Sequence, residues 1–197
     1  YALQSFGAKG LVEVKVISRE KGIAIPATWA NVRAELEGSA TPHILAFLGH
    51  ADHALGHAGG TQAGRLQFEL EDGEEAEPVT AAILNTELQS FPVPVVLLAG
   101  CYTAADLQNR AAIDPLVPDW MRAHQGVAQA LINSSSGVQI AVGMRYRLDT
   151  SDATRFLTKF FQTLIDVPTP QLDIRGDVEL AVRAARFELS VNPQANG

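Results

Sequence analysis

At 197 residues, 47% of them hydrophobic, the chain has the length of one sizeable α/β domain and enough apolar material to build its core. A formal net charge of −7, with no basic run, argues against a phosphate-reading surface and hence against nucleic acid as a direct partner, leaving a protein, peptide or small molecule. One cysteine cannot close an internal disulfide, and no stretch has the make-up of a signal peptide or the length of a membrane span, so a reducing, cytoplasmic setting away from membranes is expected.

The chain opens at Tyr1, without a methionine, on what reads as the tail of a helix; this points to a cut-out or processed piece of a larger parent. Residues 11–17 alternate apolar and charged side chains, the period of a half-buried or edge strand. After Gly22 and Pro26, Thr28 can cap a helix whose apolar positions Trp29, Val32 and Leu36 lie three and four apart, with Gly38 and Ser39 ending it. The apolar run 42–48 predicts a strand buried on both faces that stops at Gly49-His50, followed by an irregular loop to Gly64 rich in Gly, Ala and His. Residues 65–70 alternate again, and Asp72-Gly73 before Glu74, Glu75 and Glu77 reads as a tight turn with a solvated acidic tip, so a small hairpin is expected. Thr80 then precedes a helix through Ala82, Ile83, Leu84 and Leu88, which leads into the next strand with β-α-β spacing.

That next strand, within residues 93–103, is the centre of the pattern. Its run of Val and Leu suits burial on both faces, and Gly100 ends it at a sharp turn, which puts Cys101 at the carboxyl end of the strand, where ligands and catalytic groups of open α/β sheets collect. Residues 104–125, with Pro115 and Pro118, read as an irregular loop or short helix across the cleft mouth. A helix over 126–132 turns Val127, Ala130 and Leu131 inward and ends at the polar run 133–137; a third buried strand occupies 138–144. Asp149 to Asp152 offers an N-cap for an amphipathic helix through Phe156, Leu157, Phe160, Phe161 and Leu164, and a last helix covers 176–189 before a frayed tail. With no internal repeat and no linker, residues 1–197 read as a single α/β domain.

Two apolar strands thus deliver His50 and Cys101 to the same kind of place. A thiol becomes a useful nucleophile when a neighbouring imidazole takes its proton. The bland alternative makes Cys101 a buried small hydrophobe and His50 a loop histidine; against it, each residue ends an apolar strand beside glycine. A metal site is a competing reading, with His50, His53 and His57 three and four apart and His53 and His57 sharing one helical face, although it leaves Cys101 unexplained. The Gly-rich loop lacks any phosphate-binding signature.

These residues resemble the CHAT domains, peptidases of the caspase and separase type. The typical pattern has an apolar strand ending in His-Phe-Ala-Gly-His-Gly, an acidic hairpin, then a strand ending in Leu-Ser-Ala-Cys-Glu-Thr. Here these stand as Ala46-Phe47-Leu48-Gly49-His50-Ala51 and Leu98-Ala99-Gly100-Cys101-Tyr102-Thr103. Residues 126–131 and 141–149 resemble the helix and strand that follow, so the likeness covers roughly residues 11–190. Two departures are Ala46 for the first histidine and Ala51 for a glycine. The resemblance implies a three-layer caspase-like fold, with a mostly parallel central sheet flanked by helices. It also implies a cysteine endopeptidase needing no cofactor or metal: Cys101 attacks the peptide carbonyl, His50 supports proton transfer, and the backbone N–H groups of Cys101 and Ala51 hold the oxyanion. Asp149 is the candidate acid for a basic substrate residue, with helix capping by Asp149 or Asp152 as the alternative and Arg145 or Arg147 favouring an acidic residue instead. Relatives sit beside sensor or repeat domains, so regulation by an attached module or partner subunit is implied; a catalytically silent interaction module of the same fold is the remaining alternative.

Overall fold

The computed structural model describes residues 13–18, 25–38, 41–53, 64–70, 75–101, 103, 126–144, 149–166 and 177–191. The chain divides into two compact units, residues 17–148 and residues 1–16 with 149–197.

In the unit of residues 17–148, helix α1 (Trp29–Leu36) starts where Thr28 leaves the helical region, and the Thr28 hydroxyl accepts a hydrogen bond from the Asn31 N–H at 3.1 Å. Trp29, Val32 and Leu36 are buried, as their spacing requires. The chain then forms strands β1 (Ile44–Leu48), β2 (Ala51–His53), β3 (Gly64–Glu69) and β4 (Ala76–Thr80), helix α2 (Ala81–Ser90), strand β5 (Val95–Ala99), helix α3 (Val127–Ile132) and strand β6 (Ile140–Gly143). Thr80 caps α2 as Thr28 caps α1, accepting from the Ile83 N–H at 3.3 Å.

The strands form two sheets. β1, β5 and β6 are parallel in the order β1-β5-β6, whereas β2, β3 and β4 are antiparallel in the order β2-β3-β4. A single large, mostly parallel central sheet is therefore not what the described residues form. After Leu48 the chain breaks at Gly49-His50 and pairs with the β3–β4 hairpin, whose own apolar face of Leu66, Phe68 and Val79 is buried. The segment expected to be loop thus contributes β2. The expected hairpin is present, with Glu69 opposite Ala76; its Asp72-Gly73 tip lies outside the described residues. Central strand β5 is buried on both faces, from Val96 to Ala99, as its composition predicts. β1 corrects the expectation: it is an outer strand of the described sheet, with Ala46 and Leu48 exposed, the latter by 48%. Residues 13–18 alternate between exposed and half-buried as far as Val16, yet they form no strand; alternation marks two unequal faces but does not supply a ladder partner.

One core joins these elements. Phe68 of β3 lies with its ring centroid 5.3 Å from Trp29 of α1 and 5.2 Å from Phe47 of β1, both tilted. Around it pack Leu84 and Leu88 of α2, Val96 and Leu98 of β5, and Val127 and Leu131 of α3. The turn into β6 needs a left-handed residue, which Gly137 provides at φ +79°.

In the other unit, helices α4 (Thr150–Asp166) and α5 (Val178–Val191) pack together. Phe156, Leu157, Phe160, Phe161 and Leu164 are buried as expected, and the small Ala181 and Ala185 are fully buried on α5. Arg155 ties the two helices, with Nη1 on Asp152 Oδ1 at 3.1 Å and Nη2 donating to the Glu188 carbonyl at 3.1 Å. No described helix is long and apolar enough to cross a membrane.

Candidate active site

β1 and β5 pair in register from Ile44 opposite Val95 to Leu48 opposite Ala99. His50 and Cys101 each stand two residues past the last pair. The two strands therefore end level, and the turns that follow them carry the two candidate groups.

The cysteine turn is held by Thr103, which is 1% exposed. Its hydroxyl reaches the Leu98 carbonyl at 2.8 Å and the Gly100 carbonyl at 3.0 Å, and accepts from the Met144 N–H at 2.9 Å. Its carbonyl accepts from the Ala128 N–H at 2.9 Å. One buried side chain and its own peptide thus join the turn to β5, to the end of β6 and to the first turn of α3. Cys101, half-buried, sits inside this bracket.

The histidine turn is held from the other sheet. The His50 carbonyl accepts from the Gln67 N–H at 2.9 Å, which makes residues 50 and 67 a hydrogen-bonded pair. In antiparallel alternation Ala51 and Leu66 then form a non-hydrogen-bonded pair, so the Ala51 N–H is turned away from β3. One residue further, Asp52 and Arg65 face each other across the ladder in a two-pronged ion pair, Nε to Oδ1 and Nη2 to Oδ2, both at 2.8 Å. The Asp52 hydrogen bonds hold the Arg65 guanidinium above its ordinary pKa, against the opposing effect of burial. His50 itself is exposed.

The two turns meet through the residues beside the candidate pair. A Cβ built on Gly100 would lie 3.0 Å from Ala51 Cβ, 3.1 Å from the Gly49 carbonyl oxygen and 3.3 Å from Thr103 Cγ2. Gly49 and Ala51 flank the histidine, and Gly100 precedes the cysteine. Close approach of the two backbones is the physical reason for glycine at position 100.

Asp149 belongs to the other unit, where it caps α4. Its Oδ1 accepts from the Asp152 N–H and from the Ser151 hydroxyl, both at 2.7 Å. The Asp152 hydrogen bond first, then that of Ser151, holds the carboxyl below the usual carboxylate range. The metal reading loses its premise of a shared helical face, because His53 closes strand β2; His57, like Arg145 and Arg147, lies outside the described residues. Among the described residues no group of three His, Cys, Asp or Glu could hold a metal ion. Two depressions, one lined by Arg155, Lys159 and Glu188 and the other by Trp29, Arg33 and Glu77, include neither His50 nor Cys101.

Sequence reasoning missed Thr103 and the Asp52–Arg65 fork. The signal for Thr103 was its place two residues after the cysteine, where a hydroxyl can fold back on a strand end. The fork left only a weak one, since opposite charges that face each other across a ladder are visible only once the register is known.

Compared with known families, residues 1–196 match the profile described as CHAT domain. No curated protein matches the chain.

Proposed function

The chain belongs to the CHAT domain family, and from that premise we propose that it is a cysteine endopeptidase acting through His50 and Cys101. The observation that carries the proposal is the level ending of β1 and β5, with His50 and Cys101 in equivalent positions beyond their last pair. Close packing of Gly49 and Ala51 on Gly100 supports it.

In this mechanism the Cys101 thiol gives its proton to the His50 imidazole and the sulfur attacks the substrate carbonyl carbon. The developing oxyanion is received by the backbone N–H groups of Cys101 and Ala51. The orientation of the Ala51 N–H away from β3 leaves it available for this role. Collapse of the tetrahedral intermediate breaks the C–N bond, the imidazolium returns the proton to the leaving amine, and water then hydrolyses the thioester. Asp149 is proposed to receive a basic substrate residue while also capping α4. Substrates are protein or peptide segments met in the cytoplasm, and an attached sensor or repeat module, or a partner subunit, governs activity.

The test is cleavage of a diverse peptide library by the wild type and by Cys101→Ala, each with and without a chelator, together with any attached domain or partner subunit found with the chain. Chelator-resistant cleavage that disappears with Cys101→Ala supports the peptidase, and the residue preceding the cut tests Asp149. Chelator-sensitive cleavage that is indifferent to Cys101 moves the chemistry to the histidines. No cleavage by the assembled protein leaves a silent interaction module.

A further inference from the structure

We infer that positions 51 and 100 form a steric pair with room for a single methyl group, and that this pair sets how closely the histidine turn approaches the cysteine turn. The functional half of the inference rests on the peptidase proposal; the steric half does not.

Carbon atoms in good contact sit about 3.5–4.0 Å apart, whereas a Cβ on Gly100 would find Ala51 Cβ at 3.0 Å. The surroundings cannot easily give way. Ala51 lies on a strand clamped by the bond from the Gln67 N–H to the His50 carbonyl and by the Asp52–Arg65 fork. The second neighbour, the Gly49 oxygen, is backbone. The third, Thr103 Cγ2, belongs to a side chain whose hydroxyl is fixed to Leu98, Gly100 and Met144. A second methyl must therefore drive the turns apart.

The contact holds one methyl, that of Ala51, carried on the histidine side. Since Cys101 follows Gly100 directly and Ala51 supplies a proposed oxyanion donor, the fit at this contact fixes the spacing between sulfur and donor. Ala51 and Gly100 are in this sense positioning residues.

Four forms decide it: wild type, Ala51→Gly, Gly100→Ala and the exchange carrying both substitutions. Overpacking in Gly100→Ala is expected to lower the melting temperature by roughly 2–12 °C. Displacement of the turn by a few tenths of an ångström is expected to cut kcat on a cleaved peptide several-fold, up to about 10-fold, with KM changed far less. Adding Ala51→Gly to Gly100→Ala is expected to recover a large part of both losses, incompletely because the Gly49 oxygen stays where it is. A purely additive cycle, in which the exchange is as impaired as the sum of the single substitutions, overturns the inference. If Gly100→Ala fails to fold, a folded exchange form supports the pair and an unfolded one refutes it. If the wild type cleaves no peptide, the peptidase proposal falls, and the four melting temperatures still decide whether the steric pair exists.

Discussion

Replacing Thr103 with valine keeps the shape of the side chain and removes one oxygen. That oxygen accepts the Met144 N–H at 2.9 Å and donates toward the Leu98 and Gly100 carbonyls, in a place where Thr103 is 1% exposed. The Leu98 and Gly100 carbonyls lose this donor, and the Met144 N–H loses this acceptor. Leaving such a donor without its bond costs about 1–3 kcal/mol where it is buried, and the Met144 N–H, which is part-buried, falls in the lower part of that range. For a chain of this size that range is a fall in melting temperature of roughly 2–12 °C. Thr103→Ser keeps the oxygen and gives up only the methyl, so it is expected to fall less than Thr103→Val. The assay is thermal and urea unfolding of the three forms, together with the rate at which iodoacetamide alkylates Cys101. With Thr103→Val the turn loosens and alkylation changes, while Thr103→Ser follows the wild type more closely. A valine form as stable as the wild type, or a serine form more damaged than the valine form, would refute the assignment of the hydroxyl as the tie between β5 and β6.

Arg65→Lys replaces a two-pronged fork with a point charge on a partly exposed pair, and is expected to cost about 0.5–1 kcal/mol, measured by urea unfolding and diminished in high salt. Phe160→Ala empties a fully buried position of α4 and should destabilise its unit by about 3–5 kcal/mol, read from the loss of helical circular dichroism on heating. The Asp149 carboxyl titrates lower in the folded chain than in the unfolded one, so its contribution to α4 is complete above its unfolded pKa and fades as pH falls through the folded value. Asp149→Asn still caps the helix but does not ionise, and an acid titration followed by circular dichroism should therefore show a shallower acid limb; an unchanged limb would contradict this account.

Much of the architecture was legible because local signals and burial agree. The threonines at 28 and 80 sit directly before apolar stripes, and both cap. Val96 to Ala99 is apolar throughout, and it is the strand covered on both sides. The errors share a physical origin, since composition describes the faces of a segment but not its neighbours. Residues 42–48 have the composition of a central strand and lie at the outer edge of the described sheet. Residues 51–53 have no strand signature at all, being held by the β3 ladder and the Arg65 fork. At the candidate site, the level ends of the two strands follow from their apolar runs, whereas the bracket around Thr103 depends on residues 41 positions apart meeting in space.

The parallel pairing of β1 with β5 also fixes when the candidate site comes into being. The β3–β4 hairpin joins neighbours in the chain and closes over a short loop, as does α2 immediately after it. β1 must wait for a strand that begins at Val95, and loop closure of that length is slow to form and gains its contacts only at the end. On the ribosome, His50 emerges well before Cys101, with the whole β2-β3-β4-α2 segment between them, so a nascent chain carries the histidine turn for many residues without its counterpart. Assembly of the two turns thereby waits until residue 101 of the 197 has been made, and any chain released before it lacks the nucleophile altogether.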